Sequence, residues 1–426
     1  MKILYAVRLF SGLQASLDER RWHPTGVPTI YKMIEALDHG QDQPVFVLAC
    51  KDGTSHWPET RDVELTVEGL DNPVTVLAGH KRFPFAMPGA GVLLELIHAW
   101  RLWRITCRER PEILYLDHAN VVAAALLTFL LDVPVVFRVM GVYPVMRDAL
   151  KSTGLKHRFM RWCYYRAYSL IVCTQDGSGA EPWLQEALRT DVPRIAVLNG
   201  VDRNISAIDS LSDLSALPDN KTLVLFLGKL EPEKGALQFA DGFLGAWGAA
   251  KGKLHALIIG TGSEGDEIKK RFAEAGANAA FTMIDRLTHS QVGAVLSKSD
   301  IYVSLNRLGN LSNANLEAML SGTAMIFPKA QPEHGIDVVT EDLIPGDAAL
   351  RISSSDDIEG LSKAILKLHN SPSERETRGD LLRDYATRFT SSWDERISWE
   401  LDLLRRIAGG EHLGQVKGPA ASRTRS

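Results

Sequence analysis

A chain of 426 residues is longer than one hydrophobic core usually serves, so two domains are expected. Its 45% hydrophobic and 23% charged content is that of a globular protein, and a net charge of -4 argues against nucleic acid as the main partner. Cys50, Cys107, Cys163 and Cys173 have no CxxC spacing and no nearby paired His, which points away from a zinc site or a disulfide framework and fits a reducing compartment.

The first eight residues, Met1 to Arg8, form a strand-like run without the apolar region and cleavage site of a signal peptide. No uncharged run reaches the roughly 18 residues that a membrane span needs, so a cytoplasmic protein is expected. Strand-like runs then alternate with helical stretches. In the first half they are Ile3 to Val7, Val45 to Ala49, Val74 to Leu77, Ile113 to Leu116, Val135 to Val139 and Leu170 to Cys173. In the second half they are Leu223 to Leu227, Ala256 to Ile259, Ala280 to Ile284, Ile301 to Leu305 and Ala324 to Phe327. Several are apolar throughout, as in parallel strands covered by helices on both faces. The pattern predicts an α/β protein with two Rossmann-like parallel-sheet domains facing a central cleft, ligands binding at the carboxyl ends of the strands. The expected boundaries are an N-terminal domain over 1–202, a linker over 203–221, a C-terminal domain over 222–385, a helix within 386–410 packing back on the first domain, and a disordered tail over 411–426.

The segment Gly309 to Gly322 follows an apolar strand and reads as a polar loop opening a short helix. Ser312 or Asn313 can cap that helix, and Gly322 stands where a left-handed residue would end it. Its free N–H groups and positive end form an anion site, and Glu317, about one turn inside, can reach ligand hydroxyls. An ordinary capped helix with a solvated Glu has the same pattern.

Several motifs occur in a fixed order: Val197-Leu198-Asn199-Gly200-Val201-Asp202, Gly228-Lys229-Leu230-Glu231-Pro232-Glu233-Lys234-Gly235, Ile259-Gly260-Thr261-Gly262, Ser299-Asp300-Ile301-Tyr302-Val303 and the Glu317 block. The series resembles the retaining GT-B glycosyltransferases of the GT4 type. That resemblance implies a nucleotide-diphosphate sugar as donor, with no bound cofactor and no metal. It implies that Lys229 and Lys234 contact the diphosphate, that the N–H groups at Ser312, Asn313 and Ala314 face it, and that Glu317 holds the ribose. It also implies that Gly26, in Thr25-Gly26-Val27-Pro28-Thr29, opens a loop under sugar and phosphate, although Thr25 replaces one of two glycines common there.

Two positions depart from the family pattern. The E-x7-E pair has Gly309 where the first Glu, which engages the donor sugar, belongs. Another group, or backbone N–H in the Gly309–Asn313 loop, must then orient the sugar. Met140 replaces the His of a His-Gly pair beside the reacting centre, leaving Arg138 and His118 as polar candidates for catalysis; a structural role for His118 is equally open. In this family the leaving diphosphate helps to remove the acceptor's proton, so a missing side-chain base is tolerable.

The stretch 145–167 carries six Lys or Arg against Asp148, interleaved with Phe159, Met160, Trp162, Tyr164 and Tyr165, and 93–110 mixes Leu, Ile and Trp with Arg. Such helices suit a peripheral membrane surface and a glycan or lipid-linked acceptor, as in cell-surface polysaccharide or glycolipid synthesis; a helix with one buried and one solvated face is the plain alternative. Two other functions compete. Gly260 to Gly265 satisfies GxGxxG, with Asp285 placed as a ribose-binding acid, which would fit an NAD-dependent oxidoreductase. Gly309 and Met140 would also fit a non-catalytic homologue.

Overall fold

The computed structural model describes residues 1–51, 57, 59–80, 90–202, 217–287 and 289–419. They form two α/β units: Met1–Thr174, Ala180–Val197 and Trp393–Pro419 make the first, and Gln175–Gly179 with Leu198–Ser392 make the second. The boundary expected after residue 202 therefore falls after Val197, and five residues within the N-terminal half belong to the second unit. Most of the expected linker, 203–216, lies outside the described residues.

The first unit holds β1 (Lys2–Arg8), β2 (Gln43–Ala49), β3 (Val63–Leu65), β4 (Val74–Leu77), β5 (Ile113–Asp117), β6 (Val135–Val139), β7 (Leu170–Thr174) and β8 (Arg194–Val197). They form one sheet in the order β3-β4-β2-β1-β5-β6-β7-β8. All pairings are parallel except β3 with β4 at the edge. The second unit holds β9 (Thr222–Leu227), β10 (Leu254–Ile259), β11 (Phe281–Ile284), β12 (Ile301–Val303), β13 (Ala324–Pro328) and β14 (Leu350–Ile352), all parallel, in the order β11-β10-β9-β12-β13-β14. Every expected strand is present. The three additional ones, β3, β8 and β14, have three or four residues each and carry Glu64, Arg194 and Arg351, so their own composition gives little apolar signal. Strands β5, β6 and β7 are buried at every position, which is why their sequences do not alternate.

In each sheet the strand order reverses around one strand. β1 lies between β2 and β5, and β9 between β10 and β12. Loops leaving the carboxyl ends there border a crevice in which open α/β sheets bind ligands.

The helix Trp393–Ala408 joins the first unit, with Ile397, Leu401, Leu404 and Ile407 buried in one core with Ile3, Tyr5 and Tyr115. Residues 411–419 are not the disordered tail expected there: Leu413 is buried and Val416 packs against the same core, while Trp399 Nε1 donates to the Lys417 carbonyl at 3.1 Å. Two apolar residues in a polar stretch suffice to dock it. Residues 420–426 lie outside the described part.

The helix also carries charge into the core. Glu400, fully buried, accepts from the Tyr115 hydroxyl at 2.6 Å and pairs with Arg396 at 2.6 Å. Burial alone would raise its pKa, but Arg396, Arg138 and these hydrogen bonds hold it below the usual carboxylate value. Replacing Glu400 by Ala leaves two buried guanidinium groups without their shared anion. It should cost about 3–5 kcal/mol of stability, read as a fall in denaturation midpoint; a loss under 1 kcal/mol would show that the cluster does not hold the helix.

Candidate functional site

In the second unit the chain leaves β9 through Lys229, forms a short 3-10 turn at Pro232–Lys234, and enters the helix Ala236–Ala249 through Gly235, whose φ is 70°. A side chain at Gly235 would begin 2.7 Å from the Leu305 Cβ, just after β12. Arg307 N–H donates to the Glu233 carbonyl at 2.9 Å. The loops from β9 and β12 thus pack closely, bringing the Lys234 turn and the Gly309–Glu317 segment to one crevice. Lys229 is exposed and Lys234 half-buried. Burial lowers the Lys234 pKa, Asp176 partly restores it, and Lys229 lowers it further.

The helix Asn313–Ser321 is capped by Ser312, whose hydroxyl accepts from Asn315 N–H at 3.4 Å, and ends at Gly322 with φ 76°. Such a cap contributes about 1 kcal/mol. Asn313 does not cap; its Oδ1 accepts from Asn199 Nδ2 at 2.7 Å. Ala314 is partly exposed in the first turn, and Glu317 is 7% exposed. Tyr302 donates its hydroxyl to Asn315 Oδ1 at 2.9 Å, and burial followed by the charge of Glu317 raises its pKa.

Asp337 fixes the loop before this helix. Its carboxylate accepts from Asn310 N–H at 2.7 Å, from Asn310 Nδ2 at 2.6 Å and from the Thr340 hydroxyl at 2.6 Å. Asn310 in turn accepts from the Ser304 hydroxyl at 2.7 Å, at the end of β12. The five-residue piece Gln175–Gly179 belongs to this arrangement: Leu311 N–H donates to the Asp176 carbonyl at 3.0 Å, and Asp337 N–H to the Gly177 carbonyl at 2.7 Å. Sequence reasoning missed Asp176, Asn310 and Asp337. The one signal was the turn-forming cluster Asp176-Gly177-Ser178-Gly179 after β7.

In the first unit Gly26 is exposed with φ 63°, and Val27, at φ 41°, precedes the helix Pro28–Asp38, whose first turn has no side-chain cap. A β-branched residue in the left-handed region is strained. His118 follows β5, as expected. Its Nε2 lies 3.0 Å from the Tyr164 hydroxyl, and its ring stacks on Tyr164 with centroids 5.8 Å apart. Burial lowers its pKa to about 4, so the imidazole is neutral at pH 7. Met140 packs against the core.

Arg138 requires a correction. It is 0% exposed, donates to the Val172 carbonyl at 3.1 Å and to the Thr174 hydroxyl at 2.8 Å, and faces the charge of Glu400. A guanidinium so enclosed belongs to the core and not to a solvent-facing surface, contrary to the placement expected for it.

The GxGxxG stretch is also explained. A Cβ at Gly260 or Gly262 would collide with the backbone at Gly228 and Leu230 respectively. Leu230 N–H donates to the Thr261 carbonyl at 3.0 Å and its carbonyl accepts from Glu264 N–H at 2.9 Å, while Ser263 N–H donates to the Glu231 carboxylate at 3.1 Å. The chain's own loop, with a carboxylate, fills the place a dinucleotide's pyrophosphate would need, and the oxidoreductase alternative loses its motif.

Two open parallel-sheet units with ligand-bordering loops at the strand reversals are the architecture of the GT-B glycosyltransferases. Residues 208–381 match the family described as Glycosyl transferases group 1. Over 203 residues the chain is 28% identical to alpha-maltose-1-phosphate synthase of Mycobacterium tuberculosis H37Rv, covering 46% of this chain and about half (51%) of that relative. Its fold is similar to that of sucrose-phosphate synthase from Thermosynechococcus elongatus, with a TM-score of 0.71, 13% identity and coverage of 96% and 100% of the two chains. It is also similar to Anabaena HepE in complex with UDP and glucose, with a TM-score of 0.62, 16% identity and coverage of 96% and 99%.

The lowered His118 pKa has a checkable sign. Because the folded value lies below the unfolded one, stability is full above about pH 6.5 and falls as pH drops toward 4. The His118 ring resonance in NMR should titrate near pH 4; titration near 6.5 would place the ring in water.

Proposed function

We propose that the protein is a retaining GT4-type glycosyltransferase moving a sugar from a nucleotide-diphosphate sugar to a glycan or lipid-linked acceptor. The observation that carries this reading is the meeting of the Lys234 turn and the Ser312-capped helix at the β9/β12 strand reversal, within the region matching the glycosyl transferases group 1 family. Lys229 and Lys234 take the diphosphate together with the N–H groups at Ser312, Asn313 and Ala314, and Glu317 takes the ribose hydroxyls. The loop at Gly26 and the neutral His118 serve sugar and acceptor. Charge stabilisation and placement of two substrates are most of what such a transfer demands, the departing diphosphate receiving the acceptor's proton. HepE is described in complex with UDP, which makes a uridine nucleotide the first donor to try.

Thermal stabilisation by a panel of UDP, GDP, ADP, their sugar conjugates and NADH tests the reading. One nucleoside diphosphate should stabilise the protein and NADH should not; a shift with NADH alone would overturn it. Lys234→Ala should weaken the diphosphate about 10–100-fold and leave the free nucleoside nearly unchanged, as loss of a charged hydrogen bond predicts. Glu317→Ala should weaken both. Turnover of the donor, as transfer or hydrolysis, separates an enzyme from a non-catalytic homologue.

The acceptor side of the proposal is a lipid surface, the protein working at the cytoplasmic face of a membrane in cell-surface polysaccharide or glycolipid synthesis. Among the described residues no helix is long and apolar enough to cross a membrane. However, all exposed large hydrophobic residues among them fall between Val92 and Tyr165, including Trp100, Phe129 (71% exposed) and Leu155 (83%). They lie on the helices Ala90–Glu109, Val121–Leu130, Pro144–Lys151 and Leu155–Tyr164 and the residues beside them; the first, second and fourth of these helices pack in series. Arg104 covers the Trp100 ring at 5.0 Å and Arg166 the Trp162 ring at 4.8 Å. Cations and aromatic rings exposed on neighbouring helices of a chain whose net charge is -4 are complementary to anionic headgroups. The protein should sediment with phosphatidylglycerol vesicles but not with phosphatidylcholine, and Phe129→Ser with Leu155→Ser should weaken this at least 10-fold. No sedimentation at low salt would remove the membrane from the proposal.

A further inference from the structure

Position 309 cannot carry a side chain. Gly309 has φ 133°, and a Cβ there would stand 2.5 Å from the Asp176 carbonyl oxygen, 2.5 Å from the Gly177 carbonyl carbon and 2.6 Å from the Ser178 nitrogen. All three are backbone atoms, and they are not free to retreat. Gly177, at φ 86°, is itself wedged: a Cβ on it would meet Asp337 Oδ1 at 2.5 Å and Asn310 N at 2.8 Å, while its carbonyl accepts from Asp337 N–H at 2.7 Å. The loop Gln175–Gly179 therefore occupies the space into which a glutamate at 309 would project.

Two backbone donors of the Gly309–Asn313 loop are already engaged: Asn310 N–H with Asp337, and Leu311 N–H with the Asp176 carbonyl. They are not available to a sugar. The loop that displaces a 309 side chain brings a carboxylate of its own, that of Asp176. It accepts from Ser178 N–H at 3.0 Å, which turns it back over the loop, and it interacts electrostatically with Lys234.

We infer that Asp176 supplies, from the Gln175–Gly179 loop, the donor-sugar carboxylate that Gly309 cannot provide, accepting hydrogen bonds from sugar hydroxyls beside the diphosphate held by Lys234. This rests on the nucleotide-sugar reading and extends it to a residue outside the motif. The environment agrees. Burial pushes the Asp176 carboxyl up to about 6, with the Ser178 hydrogen bonds and Lys234 opposing, so the group is ionised at pH 7 and little hydrated. Asp337, across Gly177, has its carboxylate consumed by Asn310 and Thr340, which leaves Asp176, of the two carboxylates flanking Gly177, the one able to accept from a ligand. A carboxylate so placed distinguishes a sugar conjugate from the bare diphosphate, which it repels.

The experiment compares wild type and Asp176→Asn with UDP, GDP and ADP and with their glucose and mannose conjugates, by calorimetry and by donor turnover. The variant should bind the bare diphosphate within about 3-fold of wild type or more tightly. Its affinity for the conjugate, or its kcat/KM for transfer or hydrolysis, should fall about 10–100-fold, the worth of a charged hydrogen bond. Equal loss of both ligands would mean that Asp176 only holds the loop, and unchanged turnover would exclude a sugar contact; either result overturns the assignment while the transferase reading stands. Should Asp176→Asn fail to fold, Asp176→Ser carries the same comparison. A wild-type protein that binds none of these nucleotides overturns the transferase reading and this assignment together.

Discussion

The second unit depends on backbone packed against backbone without intervening side chains. Gly309 lies on Gly177, and Asp337 holds both sides of that contact by accepting from Asn310 and donating to the Gly177 carbonyl. Buried backbone N–H groups must find partners, and each one left unmet costs about 1–3 kcal/mol. A carboxylate that serves three donors at once therefore fixes the loop strongly. The loop in turn sets where Ser312 stands, Ser312 starts the helix, and the helix carries Glu317. The geometry of the proposed donor site is inherited from Asp337.

The first unit has a comparable anchor of different chemistry. Glu400 brings a negative charge from the C-terminal helix into a core that holds Arg138 and Arg396. An ionised group in such a core is stable only when paired and hydrogen-bonded. The cluster thus selects one register of the helix against the sheet, where the apolar stripe alone would tolerate small shifts. It also explains why Arg138, one strand over from the end of β5 where His118 stands, is closed off from solvent.

The site's electrostatics divide along the same lines. Lys234 and Asp176 are a partly enclosed pair of opposite charge, each raising the other's preference for its ionised form against the cost of burial. In the first unit His118 is neutral and tied to Tyr164, able to exchange a hydrogen bond but not to carry charge at neutral pH. A transfer in which the donor's diphosphate absorbs the developing charge needs a cation beside the phosphates more than it needs a charged base.

Local sequence determined what local physics controls. Apolar runs of four or five residues became strands, Ser312 and Gly322 bounded their helix, and the spacing of Ile397, Leu401, Leu404 and Ile407 marked a buried helical face. The fold class follows from that alternation, and the order of motifs from Val197 to Glu317 pointed to the GT-B glycosyltransferases. Tertiary structure alone decided which charged residues became structural, because the electrostatic interaction of Arg138 with Glu400 joins residues far apart in the chain. It alone brought Asp176 to Gly309, and only the packing of Gly228 against Gly260 and of Leu230 against Gly262 showed that a nucleotide-like motif was a close crossing of two loops. Burial and long-range pairing depend on where the chain returns, and no window of sequence contains that information.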